Sequence, residues 1–256
     1  PPPPPSPPAP PHIFFFHPQA ATGDPLWSRW LGDVYKRQGQ KVGGKTKLLM
    51  VDGDFQMVYY RKDVLDAAGA QPPKTWEDYL DVASKIHGKD MNGDGEGDFG
   101  SCIFKKRNAQ SYFAIQTFAA PIVQTQGTGQ GFHFNNATMK PIVNNDGWKK
   151  AFELYKETGK YGPPEELNLD IGDTRALFKA GRCGLLVEWG DPGPLQLDDD
   201  ATAIKGKLYA ISALGSREVL NRATGELVPV NNVNAPLSLI HISEPTRPER
   251  IGDGGV

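Results

Sequence analysis

No stretch of this 256-residue chain is long and apolar enough to be read as a membrane span. Ile13-Phe14-Phe15-Phe16 is closed off by His and Pro on both sides, far short of the roughly 20 apolar residues a spanning helix needs, and too short for a signal-peptide core. An excess of charge of one sign is also missing. Lys and Arg number 28 against 30 Asp and Glu, a formal net charge of −2, and the densest basic cluster, Lys105-Lys106-Arg107, reads as a solvated loop. That balance argues against nucleic acid or a membrane surface as partner. Cysteine is scarce, and two residues, Cys102 and Cys183, do not decide the redox compartment by count. H-E-x-x-H, C-x-x-C and G-x-S-x-G are all absent, so zinc hydrolysis, dithiol chemistry and a nucleophile elbow lack their usual residues.

What is present begins with two segments that are complementary as DNA. Asp33-Val34-Tyr35-Lys36-Arg37-Gln38 can be coded GATGTGTATAAGAGACAG, and its reverse complement reads Leu237-Ser238-Leu239-Ile240-His241-Ile242. The match continues outward, with Ser243-Glu244-Pro245-Thr246-Arg247 mirroring Ser28-Arg29-Trp30-Leu31-Gly32 except at Trp30. No protein-level constraint couples two peptides through the antisense strand, and both segments resemble translated transposase adapter. The expectation is therefore a non-native, disordered flank at 1–38, a partial domain at 39–236, and a second non-native, disordered flank at 237–256. His12, His17 and His241 leave with the flanks, so only His87 and His133 remain for chemistry.

Within 39–236, Lys47 to Val51 and Met57 to Tyr60 read as strands around an Asp52-Gly53-Asp54 turn. Asp63 to Ala68 is a brief helix, and Thr75 is a candidate N-cap with Asp78 in a capping-box position. Trp76, Leu80, Ala83 and His87 recur at helical spacing. A strand at Ser101–Phe104, a buried helix from Ala109 to Ala119 ending near Pro121, and an amphipathic helix from Asp146 to Thr158 with Trp148, Phe152 and Tyr155 on one face follow. A helix over Asp173–Ala180 and a buried strand over Gly184–Trp189 complete the alternation, which predicts an α/β layered domain with its ligand beyond the strand ends.

Several motifs suggest chemistry. Gly39 to Thr46 satisfies G-x-x-x-x-G-K-[ST], but no hydrophobic strand precedes it and a strand-like run follows, so a Gly-rich hairpin is expected rather than a phosphate loop. Asp90, Asn92, Asp94, Glu96 and Asp98, with Gly95 at the sixth position, reproduce most of a calcium loop. At the twelfth position Ser101 replaces the bidentate Glu, leaving structural Ca2+ and a plain Asn-Gly and Asp-Gly turn as open alternatives. Glu165-Glu166 and Asp198-Asp199-Asp200 read as solvated loops. Asp52, Asp54, Gln124, Gln126, Trp189 and Asp191 form a set suited to a polar, weakly charged ligand. An aromatic face covers a sugar ring while carboxylates and amides bond its hydroxyls, although core packing is an equal reading for Trp189.

Val51-Asp52-Gly53-Asp54, then Val58 to Leu65, Ala68-Gly69, Pro72-Pro73 and Thr75 to Asp78, together with Phe178 to Gly184 running into Asp191, resemble the extracellular solute-binding protein family 1. The resemblance implies a periplasmic-binding-protein-like fold of the second type, here mostly one lobe plus the crossing strands. It implies a binding protein, not an enzyme, closing on a sugar and delivering it to the membrane subunits of an ABC transporter. Gly215 to Val230 fits that pattern less well and resembles versions of the domain in green-algal multidomain membrane proteins, implying a ligand-sensing ectodomain instead. A carbohydrate-active enzyme using a carboxylate pair is the competing class. Both binding readings place the domain outside the cytoplasm, where a disulfide persists, and Cys102 and Cys183 are then expected to pair.

Overall fold

The computed structural model describes residues 41–42, 45–46, 56–123, 131–190, 192–197, 203–212 and 214–230. The chain divides into two compact units, Pro1–Leu49 and Met50–Val256. In the first unit, β1 (Lys41–Val42) and β2 (Lys45–Thr46) pair antiparallel, with Val42 opposite Lys45. This is a hairpin and not the strand-to-helix junction of a phosphate loop.

The second unit is built on β3 (Gln56–Arg61), β4 (Phe99–Ile103), β5 (Cys183–Trp189) and β6 (Leu208–Ser212), in the order β4-β5-β3-β6. Strands β4 and β5 run parallel, while β3 is antiparallel to both β5 and β6. Period-2 alternation divides β3 between two cores. Val58 and Tyr60 join the larger core, and Tyr59 the smaller. In β5, Leu185 and Val187 face the first core, while Leu186 faces the second.

The larger core is roofed by three helices: α2 (Trp76–Ile86), α3 (Ser111–Val123) and α4 (Asp146–Thr158). The short α1 (Lys62–Ala67) leads directly out of β3. Helix α2 starts at Thr75, whose hydroxyl accepts the Asp78 N–H at 3.1 Å while the Asp78 carboxylate accepts the Thr75 N–H at 3.0 Å. This reciprocal box satisfies two donors that the first helical turn would leave unpaired. Close approach of α2 to the sheet depends on two glycines. A Cβ on Gly100 would lie 2.1 Å from the Ala83 carbonyl oxygen, and one on Gly184 would lie 2.3 Å from Ile86 Cδ1. Trp76 then stacks on Phe118 of α3 with ring centroids 3.6 Å apart.

The opposite face is covered by α5 (Ile171–Lys179), which inserts Phe178 among Tyr59, Leu186 and Ile204. Cys102 of β4 and Cys183 of β5 are joined by a disulfide with a Cα–Cα distance of 6.0 Å, both residues fully buried in this smaller core. A second hairpin, β7 (Glu218–Leu220) with β8 (Leu227–Pro229), pairs antiparallel.

Three expectations need correction. Helix α3 does not end near Pro121 but carries it inside and continues to Val123. Pro removes one backbone donor, yet it does so in the last turn, where residues from Thr117 to Val123 are all buried, so tertiary packing overrides the local penalty. The buried seam of α4 runs through Gly147, Trp148, Ala151, Leu154 and Thr158. Phe152 lies at its margin, 54% exposed, with its ring tilted against Trp148 at 6.1 Å between centroids. Finally, Lys105 and Glu166 are not solvated: both are buried and form an ion pair at 2.6 Å.

Candidate ligand-binding site

The antiparallel register sets Gln56, the first residue of β3, opposite Trp189, the last of β5, so the sheet ends there in an amide and an indole side by side. Trp189 is 7% exposed and is held from three directions. Its indole Nε1 donates to Gln110 Oε1 at 2.8 Å, and its carbonyl accepts the Tyr59 hydroxyl at 2.9 Å. Its ring meets Phe113 edge to face, with centroids 4.9 Å apart. Tyr112, its ring tilted against Phe113 with centroids 4.1 Å apart, stands half exposed. An indole fixed in this way is pre-organised, because little rotamer freedom remains to be lost when something stacks on it.

Next to Trp189, Glu188 is fully buried, which is costly for a carboxylate without a partner. Arg175 of α5 supplies one, with Nε at 2.9 Å and Nη2 at 3.3 Å, and Glu188 Oε1 also accepts the backbone N–H of Trp189 at 2.8 Å. The forked ion pair therefore fixes the backbone from which the indole projects. Gln56 is 5% exposed, and its Oε1 accepts the Thr117 hydroxyl at 2.7 Å. Its Nε2 is buried without a hydrogen-bond partner, an unsatisfied amide donor at the sheet end.

A few residues on, the buried pair continues the same rim from β4. Lys105 Nζ bonds Thr158 Oγ1 at 2.8 Å and the Tyr155 carbonyl at 3.1 Å, and Glu166 Oε1 accepts the Ile103 N–H at 3.2 Å. Burial pushes Lys105 below and Glu166 above their ordinary values, outweighing their mutual attraction.

Of the residues expected in the site, Trp189 lies at the rim. Asp52, Asp54, Gln124, Gln126 and Asp191 fall outside the described residues, as do Asp198, Asp199 and Asp200. Gln56, Gln110, Phe113, Arg175 and Glu188 were not foreseen. The acidic residue in the apolar run Leu185 to Trp189 was the one legible signal, because a charge inside a buried strand demands a partner. His87 ends α2 in the open, and His133 sits against Trp148 with burial lowering its pKa. Among the described residues, no three His, Cys, Asp or Glu side chains gather as a metal would require.

The calcium-type loop lies at the opposite end of β4 and β5. Asp90 Oδ1 accepts the Gly93 N–H at 2.6 Å, and Oδ2 accepts the Gly95 N–H at 2.9 Å. Asp98 is buried, with Oδ2 on the Met91 N–H at 2.7 Å and Oδ1 on Arg182 Nε at 3.0 Å. Ser101, at the twelfth position, bonds the Tyr79 hydroxyl at 2.8 Å inside the larger core. The first-position carboxylate has the turn geometry of such loops, but the ninth is occupied by a guanidinium and the twelfth faces away, so the set does not fit a coordinated cation.

A family model described as bacterial extracellular solute-binding protein matches residues 31–220. Mannitol-binding protein of Pseudomonas aeruginosa is 26% identical over 171 residues, covering 66% of this chain and 36% of its own length, so the chain spans about a third of that relative. Among solved structures, a solute-binding protein of Agrobacterium vitis S4 with bound D-mannitol matches at a TM-score of 0.56 and 23% identity, covering 78% of this chain and 45% of that one. A maltose-bound protein of T. maritima matches at 0.57 and 18% identity, covering 82% and 49%. At these identities the two structures establish the fold: an α/β layered domain of the periplasmic solute-binding type.

Proposed function

We propose, from the premise that this chain belongs to the bacterial extracellular solute-binding protein family, that it binds a neutral polyhydroxyl solute, a sugar or polyol, at the rim where β5 ends. The observation that carries the reading is Trp189, an indole locked in place by Gln110, Tyr59 and Phe113 beside the buried, unpartnered amide donor of Gln56. Apolar C–H faces stack on an indole, and hydroxyls bond amides and carboxylates. The Arg175 guanidinium is engaged by Glu188, which favours a neutral ligand over an anion at this spot. Asp52, Asp54, Gln124, Gln126 and Asp191 are proposed to complete the polar contacts, within a native segment of 39–236. The mechanism is closure of a second lobe over the ligand, followed by delivery to ABC transporter membrane subunits. The same site serves a sensing ectodomain equally well.

An extracytoplasmic location accords with the family and with the buried Cys102–Cys183 disulfide, which oxidising surroundings preserve. No helix among the described residues is long and apolar enough to cross a membrane.

Saturation-transfer NMR with D-mannitol, ribitol and maltose tests the reading. Transfer from the chain to at least one of them, lost in Trp189→Ala, is expected. Absence of transfer to any neutral polyhydroxyl compound contradicts it. Glycoside hydrolysis abolished by changing Asp54 or Asp191 would replace it with an enzyme.

A further inference from the structure

The loop at 90–98 carries four carboxylates, on Asp90, Asp94, Glu96 and Asp98, in nine successive positions, and such crowding requires a counter-charge. A metal supplies it in loops of this spacing. Here the charge comes from elsewhere in the fold. Arg182, between the turn after α5 and the start of β5, directs Nε to Asp98 Oδ1 at 3.0 Å and Nη2 to Glu96 Oε2 at 3.2 Å. Arg61 adds a bond from Nη2 to the Met91 carbonyl at 3.1 Å. Asn92 Nδ2 reaches the Ala180 carbonyl at 3.3 Å, so the loop is tied to that turn by backbone as well as by charge. The turn is tight enough to need glycine: Gly181 has φ +79, and a Cβ there would lie 2.7 Å from Ala203 Cβ and 3.1 Å from Asn92 Cβ.

We propose that Arg182 is the resident cation of this loop, so that a segment with calcium-loop spacing is closed by a guanidinium and needs no metal. Both oxygens of the ninth-position Asp98 are in use, and the pairing of this buried carboxylate with the part-exposed Arg182 sets a fixed positive charge where a divalent ion would draw its ligands together. The twelfth-position ligand is also lost, because Ser101 lies in β4 with its hydroxyl bonded to Tyr79. The ligand set is therefore latent, with Arg182 in competition with the metal. This inference does not rest on sugar binding and survives its failure.

Thermal melting of the full chain in EDTA and in millimolar CaCl2, with terbium luminescence as a direct binding readout, tests it. Identical wild-type melts and no saturable terbium emission are expected. Arg182→Gln frees Asp98 and Glu96, and is expected to bind terbium about tenfold or more tightly than wild type and to melt higher in calcium than in EDTA. Arg182→Lys, which keeps the charge, is expected to stay silent to calcium. A wild-type melt raised by calcium or lowered by EDTA overturns the proposal whether or not the variants fold. A folded Arg182→Gln as silent as wild type overturns the claim that Arg182 holds the place of the metal.

Discussion

At the N-terminal ends of β4 and β5, all four carboxylates of the 90–98 loop accept hydrogen bonds from the loop itself or from Arg182, and the Cys102–Cys183 bond ties the two strands beneath. At the C-terminal ends, the Glu188 and Glu166 carboxylates are equally well paired, yet Gln56 Nε2 is buried without a partner and Tyr112 stands half exposed beside the Trp189 cluster. At the first end every loop carboxylate is paired, although Arg61 Nη1 is buried there without a hydrogen-bond partner; at the other, ion pairs hold an aromatic cluster with the unpartnered Gln56 amide beside it. Stabilising pairs lie at both ends, and the proposed binding rim at one.

The largest expected effect lies in the buried pair. Lys105→Met strands Glu166 as an uncompensated buried charge and should destabilise the domain by about 3–5 kcal/mol, while Lys105→Met combined with Glu166→Leu should cost far less, as denaturant unfolding will measure. The pair also sets a pH dependence. Because burial raises Glu166 above its unfolded value of about 4.3, its contribution is fully present below that pH and declines as pH rises through the folded value. In urea melts across that range, Glu166→Gln should remove this decline. A single variant no worse than the double would show that the pair does not hold the C-terminal rim.

At the N-terminal rim, replacing both Cys102 and Cys183 by Ala opens a loop with a sequence separation of 81 and should cost about 2–4 kcal/mol in the same assay. Loss of ligand response in that variant, if it remains folded, would break the division between a closed rim and a binding one. A smaller effect is expected remote from both: Thr75→Ala removes the α2 capping box at a cost of about 1 kcal/mol. Smallest of all, Gln56→Leu removes a buried donor without a partner, while Thr117 keeps its bond to the Phe113 carbonyl at 2.9 Å. Its stability should stay within about 1 kcal/mol of wild type while polyol binding weakens.

The parts of this arrangement that follow from local chemistry were readable in the chain. The Thr75–Asp78 box, the Asp146–Thr158 helix and the apolar run ending at Trp189 each announce themselves by spacing and capping residues. What depends on tertiary contact was not. Lys105 and Glu166 look like loop charges because their partnership spans a separation of 61 residues and exists only once α4 covers them. Phe152 matches the helical stripe of Trp148 and Tyr155, yet the seam is centred elsewhere because α3 packs along Ala151 and Leu154. Gln56 acquires a role only through the β3–β5 register, which no local pattern encodes.

The most direct test follows the indole resonances of the 5 tryptophans in a 1H–15N spectrum during titration with D-mannitol and maltose. The account predicts a saturable shift of the Trp189 Nε1–H signal, assigned with Trp189→Phe, while that of Trp76, deep in the larger core, stays in place. A stationary Trp189 signal at saturating ligand, or equal shifts at Trp76 and Trp189, would contradict it.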